Sequence, residues 1–347
     1  MKIKYLMLSL FALCSFFFLL ACENLKKEHW PTSNWRFSKP ENQGMDSKKL
    51  KEMNQYVKEN LPRLSSIVVV RNGYIVFENA YIGQASDLRK LYGVTTSVMS
   101  TLIGIALKEG YIKSIDQKLI DYFPEYVNEK VAPDVNTITL RHLLTLTDGI
   151  AITDGEDSFS NITLTRALRA KPGTEFFYNN MSPQILSIII TKTTGLTALD
   201  FGKIYLFTPL GISKIEWQKL GGFNSGGYGM LLTSRDMAKI GHLYLKKGYW
   251  DGKQILPSEW VTESTSAQIK LPKVLNFSEE FSYGFLWWIH RMSEHEAFSS
   301  IGYGGQYISV VPDANIVVAL TTDESSHYNA PKYLSLINNY VLTSIKK

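Results

Sequence analysis

Two pairs of short β-branched runs stand towards opposite ends of the chain and restrict its fold more than any other feature. The first pair, "SSIVVVRNGYIVFENAYIG", is divided by Asn72-Gly73, a strong signal for a tight hairpin turn. The second pair, "QYISVVPDANIVVALTTD", surrounds Pro312-Asp313-Ala314-Asn315, and mostly helical segments lie between the two pairs. We therefore predict an α+β protein with one antiparallel sheet built from both termini, flanked by helices, and with a helical insertion over about residues 110–250.

The helices can be located from their capping residues. "MDSKKLKEMNQYVKEN" predicts a helix capped by Asp46, because its apolar residues recur on one face. "SPQILSIIITKTTG" predicts a helix that Ser182 caps and Gly195 ends. "TSRDMAKIGHLYLKKG" predicts another, with Ser234 near its start and Gly248 after its end.

The first residues are a targeting segment rather than part of the fold. Lys2 and Lys4 precede an apolar run that is too short and wrongly flanked for a spanning helix. The run ends in "LLAC", which resembles the lipobox of bacterial lipoproteins and implies cleavage before Cys22 and acylation of that residue. We predict a lipoprotein signal peptide over residues 1–21, the alternative being an ordinary signal peptide with an incidental cysteine.

The remaining chain has the composition of a globular domain on a short tether. Hydrophobic residues make up 45% and charged residues 20% of the sequence, close to the average for soluble proteins. The net charge of +5 includes no dense basic stripe, which argues against nucleic acid as a partner. Because the two cysteines are Cys14 and Cys22, a mature chain that begins at Cys22 has neither a disulfide nor a thiol nucleophile. We expect a tether over 22–45 and a domain over 46–347, outside the cytoplasm and anchored through Cys22 in a bacterial cell envelope.

Five further segments occur in the order found in one enzyme family: "ITLRHLLTLTDGI", "PGTEFFYNN", "TPLGI", "LTSRDMAKIGHLYLKKGYWDGKQILPSEW" and "YGFLWW". In these segments the chain resembles the penicillin-recognising serine hydrolases, which include class C β-lactamases, D-amino-acid peptidases, esterases and nylon-oligomer hydrolases. The resemblance covers about residues 60–330 and implies a β-lactamase/transpeptidase-like fold. It also implies three catalytic elements: a serine with a lysine one helical turn later, a Tyr-x-Asn segment, and a Lys/His-x-Gly strand segment.

The second element has a clear counterpart. Tyr178-Asn179-Asn180 matches Tyr-x-Asn. The resemblance therefore gives Tyr178 the role of general base and Asn180 the contact with the amide of the substrate. An aromatic residue in a core turn beside a polar helix start is the structural alternative.

The third element has a weaker counterpart. Tyr303-Gly304-Gly305 stands at the Lys/His-x-Gly position, so that Tyr303 replaces the cation. The resemblance implies that the backbone N–H of Gln306 is the second donor of the oxyanion hole. A glycine-rich bend before a strand would have the same sequence.

The first element is replaced. In "LYGVTTSVMSTLIGIALKEGYI" the family's register puts Gly93 at the nucleophile and Thr96 at the lysine. Glycine has no side chain that can attack, and threonine cannot supply the proton chemistry of lysine. The backbone N–H of Gly93 would still lie at a helix start and could still serve an oxyanion hole.

Two other clusters were considered as sites. His290 and His295 in "HRMSEHE" lack the spacing of metal ligands, so no metal and no cofactor are predicted. Trp287 and Trp288 alternate in a predicted strand, so that one of them can face the pocket, with core packing as the default interpretation.

Three functions fit the sequence. The favoured one is a catalytically inactive or strongly impaired lipoprotein that binds a small-molecule or peptide ligand with an amide or ester, cell-wall-like peptides among the candidates. The second is an active hydrolase with a substitute nucleophile, Ser97 or Thr96, or a water held by Tyr178. The third is a structural or partner-binding lipoprotein.

Overall fold

A computed structural model of the chain describes residues 29–126, 133–152, 164–271, 280–323 and 330–346. Contacts divide the chain into two units, Met1–Trp30 and Pro31–Lys347, and the second contains the fold. The predicted signal peptide and Cys22 lie outside the described residues.

The main sheet joins the two ends of the chain, as the sequence predicted. Strands β2 (Leu64–Arg71) and β3 (Tyr74–Ala80) form the first hairpin, and β15 (Gln306–Val311) and β16 (Ile316–Thr322) form the second. Strand β16 pairs antiparallel with β2, so the two hairpins are neighbours in one sheet. Both central strands are almost completely buried, which explains their continuous apolar sequences.

Shorter strands extend this sheet on both sides to nine strands among the described residues. One edge is β1, the only member that pairs in parallel, and the other pairs described in this sheet are antiparallel. The order is β1-β3-β2-β16-β15-β14-β13-β12-β11, with β1 at Arg36–Phe37, β11 at Ile269–Lys270, β12 at Ser282–Tyr283, β13 at Trp288–Met292 and β14 at His295–Gly302.

The middle of the chain contains small sheets as well as helices. This region was predicted as a helical insertion, and its two- and three-residue strands are too short to show a period-2 pattern. The strands are β4 (Arg89–Lys90), β5 (Glu216–Trp217), β6 (Lys219–Leu220), β7 (Phe223–Asn224), β8 (Met230–Leu232), β9 (Tyr249–Trp250) and β10 (Lys253–Gln254).

Helices cover the sheet and build the region beside it. Helix α6 (Ser234–Leu245) packs on β15, β16 and β2, and α2 (Val94–Lys108) packs between α4 (Met181–Thr194) and β14. The described α-helices are α1 (Ser47–Asn60), α2 (Val94–Lys108), α3 (Leu140–Leu144), α4 (Met181–Thr194), α5 (Ala198–Gly202), α6 (Ser234–Leu245), α7 (Ser258–Ser264) and α8 (Ala330–Leu336).

Helix α2 lies in the core and holds the sequence on which the functional question depends. Its residues from Val94 to Ala106 are all buried, so this part of the helix has no face exposed to solvent. Among the described helices, none is long and apolar enough to cross a membrane alone. One pair, Met181–Thr194 and Ala198–Phe207, meets that criterion only together and across a bend of 75°.

Two boundaries differ from the sequence prediction. Helix α4 begins at Met181, so Ser182 lies inside the helix instead of capping it. Part of the predicted tether packs into the domain: Trp35 and Met45 are buried, and Met45 forms a bridge with Ile345. The sequence did not predict this packing, because the residues between Trp35 and Met45 are mostly polar.

Candidate active site

The chain turns sharply into helix α2 at the position of the family's nucleophile. Gly93 directly precedes the helix, and the N–H groups of Val94 and Thr95 donate to the carbonyls of Leu91 and Tyr92 at 3.0 and 2.9 Å. Tyr92 has a positive φ of 47°, which costs energy for a bulky L-residue. Strained backbone of this kind is concentrated at functional sites.

The space around Gly93 is closed. A Cβ atom on Gly93 would lie 2.6 Å from the backbone oxygen of Ile301 and 2.6 Å from the hydroxyl of Tyr178. In the reverse direction, a Cβ on Gly302 would lie 2.3 Å from the backbone oxygen of Leu91. The entry of α2 and the end of β14 therefore touch backbone to backbone, and a side chain on either glycine would force one of the two segments to shift.

Tyr178 and Asn180 both reach the same place as Gly93. The hydroxyl of Tyr178 lies beside Gly93, and its ring stacks on Trp288 with centroids 5.7 Å apart. Asn180 immediately precedes α4 and packs closely on Gly227, where an added Cβ would lie 2.6 Å from the Cβ of Asn180. The structure thus brings the first and second elements of the predicted site together.

Asn179 caps helix α4, so the side chain of Asn180 is not required for that role. The Oδ1 of Asn179 accepts hydrogen bonds from the N–H and the hydroxyl of Ser182, at 2.8 and 2.9 Å. Its Nδ2 donates to the carbonyl of Phe177 at 2.9 Å. The predicted cap, Ser182, is instead the donor in this arrangement.

A buried carboxyl group supports the same helix start. Asp148 accepts from the hydroxyl of Ser182 at 2.7 Å and from the N–H of Ile150 at 3.0 Å. Burial raises the pKa of the Asp148 carboxyl above its usual value, against the opposing effect of these hydrogen bonds. The Tyr-x-Asn segment thus rests on a polar network that the sequence motif does not reveal.

The residues at these three places line one cavity of about 500 Å³. It lies between the strands β13 and β14 on one side and the starts of helices α2 and α4 on the other. Its described wall consists of Tyr92, Gly93, Tyr178, Asn180, Gly227, Tyr228, Trp288, Ile301, Gly302 and Tyr303.

The third element reaches the cavity only in part. Tyr303 lines it, but Gly304 and Gly305 have φ values of 79° and 110° and turn the chain into β15. Gln306 is therefore fully buried one strand further on, where its side chain bonds the backbone and hydroxyl of Thr322.

The prediction that Gln306 supplies the second oxyanion donor is wrong in its geometry. The better candidate is Tyr303. Among the backbone hydrogen bonds that turns and loops of the described chain make, none is donated by the N–H of Tyr303 or of Gly93. Both residues line the same cavity, which makes their N–H groups the candidates for binding a ligand's carbonyl oxygen.

Neither substitute nucleophile lies in the wall. The hydroxyl of Thr96 donates to the carbonyl of Gly93 at 2.8 Å, and Thr96 is buried. The hydroxyl of Ser97 donates to the carbonyl of Leu286 at 2.6 Å, also in the interior. Behind the wall, burial and then the neighbouring Tyr178 raise the pKa of Tyr283 well above its usual value, so its phenol stays neutral.

Sequence reasoning missed several lining residues and left one choice open. Trp288 faces the cavity, whereas Trp287 is completely buried. Gly227 and Tyr228 come from the glycine-rich "NSGGYGM", whose unusual density of glycine was the available signal. Tyr92 was hidden because its place depends on its left-handed backbone.

The histidines considered as metal ligands lie elsewhere. His290 is buried against Phe281 and bonded to Ser299 at 2.9 Å, and burial lowers its pKa to about 4. His295 pairs with Asp313 at 2.8 Å. In the parts of the chain that the structure describes, no group of three potential ligands could hold a metal ion.

Comparisons with known proteins agree with this architecture. A family model described as Beta-lactamase matches residues 65–332. The chain is 26% identical over 318 residues to an uncharacterized protein of Alkalihalophilus pseudofirmus, covering 80% of this chain and 88% of that protein. It is 27% identical over 289 residues to the 6-aminohexanoate-dimer hydrolase of Paenarthrobacter ureafaciens, covering 73% and 71% of the two chains.

A solved structure shows the same fold at low identity. The octameric penicillin-binding protein homologue from Pyrococcus abyssi superposes with a TM-score of 0.68 at 20% identity, covering 86% of this chain and 78% of that one. The family model spans the central sheet, the start of α2 and the Tyr-x-Asn segment alike. The chain therefore belongs to the Beta-lactamase family of serine hydrolases and has the β-lactamase/transpeptidase fold.

Proposed function

We propose that this protein is a lipoprotein of the bacterial cell envelope that binds a peptide, amide or ester and does not turn it over at the rate of its active relatives. The observation that carries the proposal is the closed contact at Gly93. The nucleophile position has no side chain, and the carbonyl of Ile301 and the hydroxyl of Tyr178 fill the space where one would begin.

Acylation requires a nucleophile and a group that takes its proton. The described wall of the cavity contains no serine, threonine, cysteine or lysine, and its hydroxyl groups belong to tyrosines. Because nucleophile and base act as a unit, loss of either removes most of the effect of both. We expect hydrolysis at least about a thousandfold below that of active relatives, with residual catalysis from binding alone.

Ligand binding does not need the missing side chains. The N–H of Gly93 lies at the start of a 15-residue helix, where the backbone favours partial negative charge. With the N–H of Tyr303 and the side-chain amide of Asn180, it offers donors to a carbonyl group. This set of groups supports binding over a purely structural role.

The substitute-nucleophile alternative has less support. The Thr96 and Ser97 hydroxyls are both buried and bonded to backbone carbonyls. A water in place of the serine hydroxyl would have to share its space with the hydroxyl of Tyr178.

The 6-aminohexanoate-dimer hydrolase among the relatives makes an amide a reasonable class of ligand for this chain.

Two measurements on one sample test the proposal. The purified protein is incubated with a fluorophosphonate or with benzylpenicillin methyl ester, and its intact mass is recorded. Binding of benzylpenicillin methyl ester is measured in parallel by calorimetry. We expect an unchanged mass together with saturable binding.

The other outcomes contradict the proposal in different ways. A covalent adduct mapped to Ser97, Thr96 or Tyr178 would establish an active hydrolase with a substitute nucleophile. An unchanged mass without binding of any amide or ester would favour the structural or partner-binding lipoprotein.

A further inference from the structure

The cavity wall is aromatic to an unusual degree. Half of its ten described lining residues carry aromatic rings, and the others are small or apolar apart from one asparagine. None of the described lining residues is an aspartate, glutamate, lysine, arginine or histidine. The aromatic members are Tyr92, Tyr178, Tyr228, Trp288 and Tyr303.

Four of these rings form two pairs. Tyr178 stacks on Trp288 with an interplanar angle of 28°, and Tyr92 meets Tyr303 edge to face with centroids 5.7 Å apart. Tyr178 and Tyr303 remain 38% and 54% exposed, and they are two of seven large hydrophobic residues exposed in the described chain. Exposed aromatic surface inside a concave site gains free energy when a ligand covers it.

The polar groups of the wall suit a neutral ligand. The N–H groups of Gly93 and Tyr303 and the side chain of Asn180 can bond an amide or ester carbonyl. A carboxylate in the same place would lose water and meet no cation of the described wall, which is costly for a charged group.

We propose that this cavity selects uncharged amides or esters with an aromatic or hydrocarbon body and discriminates against ligands that carry a carboxylate. The proposal rests on the binding function proposed above and narrows its class of ligand. Selectivity arises because the aromatic pairs reward apolar contact, while no charged side chain of the described wall compensates the desolvation of an anion.

The test uses two ligands that differ in charge and share the same body. Binding of benzylpenicillin and of benzylpenicillin methyl ester to the mature protein is measured by calorimetry at neutral pH. N-acetylphenylalanine and its amide form a second matched pair without a β-lactam ring. We expect the neutral member of each pair to bind at least about tenfold more tightly.

A charge introduced at one position should change this preference. Tyr303→Lys places a cation in the wall, so the carboxylate members should gain at least about tenfold in affinity relative to their neutral partners. Tyr249→Lys makes the same chemical change at an exposed tyrosine outside the cavity wall and controls for net charge. Circular dichroism confirms that both variants are folded.

The results separate this proposal from the function on which it rests. Equal or tighter binding of the carboxylates by the unmodified protein would overturn the selectivity and leave the binding function standing. The unmodified protein gives this answer even if Tyr303→Lys does not fold. Failure of all four ligands to bind would overturn both proposals.

Discussion

Gly93 shows most directly how one residue changes what a conserved architecture can do. In the wild-type protein the backbone of β14 lies against the place where a side chain would begin. A serine at position 93 would therefore need the segment at Ile301 and Gly302 to move before its hydroxyl could attack a ligand. The double change Gly93→Ser with Thr96→Lys would introduce the serine and the lysine of the family. It would also require the segment at Ile301 and Gly302 to move before the serine could react.

The crowding at Gly93 predicts a loss of stability for the smallest possible side chain. Gly93→Ala should lower the free energy of unfolding by about 1–3 kcal/mol, because overpacking at a backbone contact forces a shift. In a Tyr178→Phe background the cost should fall but persist, since the carbonyl of Ile301 remains 2.6 Å from the added Cβ. Urea unfolding of the four proteins in this cycle measures both effects. Equal free energies of unfolding for Gly93→Ala and the wild type would contradict this prediction, because they would show that the backbone at Ile301 shifts without a measurable cost.

Asp148 should make stability depend on pH in the opposite sense to a paired surface carboxylate. Burial raises its folded-state pKa above the unfolded value of about 3.8. Its contribution is therefore fully present below pH 3.8 and is lost as the pH rises through the folded-state pKa. Asp148→Asn removes the ionisation and can keep polar contacts with Ser182 and Ile150. Urea unfolding between pH 4 and 8 should show the variant gaining stability relative to the wild type as the pH increases.

A constant difference across that range would contradict a raised pKa for Asp148. The sequence could predict a replaced nucleophile at Gly93, because that prediction depends only on the local register of "LYGVTTSV". It could not reveal the Asp148 network or the contact at Gly93, because the partners Ser182 and Ile301 are distant in the chain.

At the scale of elements, the start of α4 combines a cap with a binding group. Asn179 caps the helix, which leaves the next side chain, Asn180, to line the cavity. Asn179→Ala should cost about 1 kcal/mol of stability, as for other lost caps. It should also weaken binding of benzylpenicillin methyl ester, although Asn179 is not among the lining residues. Asn179→Asp keeps an acceptor at the helix start and is the matched control.

Thermal melts and calorimetry of the two Asn179 variants provide the measurement. Unchanged binding by a destabilised Asn179→Ala would show that Asn180 keeps its position without the cap. The helix itself was predictable from its periodicity and from Gly195, whose φ of 71° ends it. Its first residue was not, because Asn179 and Ser182 can each cap and only the tertiary structure decides between them.

Among the strands, too, features set by local sequence were predictable and features set by tertiary structure were not. The hairpin at Asn72-Gly73 was predicted because its turn chemistry is local. The role given to Gln306 failed because "GYGGQY" does not show where the bend ends and the next strand begins. Two glycines with positive φ place that boundary one residue before Gln306, which turns its side chain to Thr322.

At the scale of the whole molecule, the proposed lipid anchor at Cys22 would determine the location of the protein in the cell, and hence which ligands can reach the cavity. Cys22→Ser should abolish acylation and release the protein from membranes or misdirect it, since several acyl chains are needed for stable anchoring. Membrane fractionation with intact-mass analysis of the full-length chain in a bacterial host is the measurement. The same fractionation and mass for both chains would contradict the lipobox, and Cys14→Ser is the control.

The pairing of β2 with β16 also limits when the main sheet can form during synthesis of the chain. Strand β2 gains its central partner only after β16, about 250 residues later, has been synthesised, so this pair of strands cannot form while the residues between them are being made. Until then the apolar β2–β3 hairpin has an open edge with which other chains could pair. The long sequence separation of this central pair thus delays closure of the sheet, and a chain without its closed sheet is still flexible enough to pass through a narrow channel.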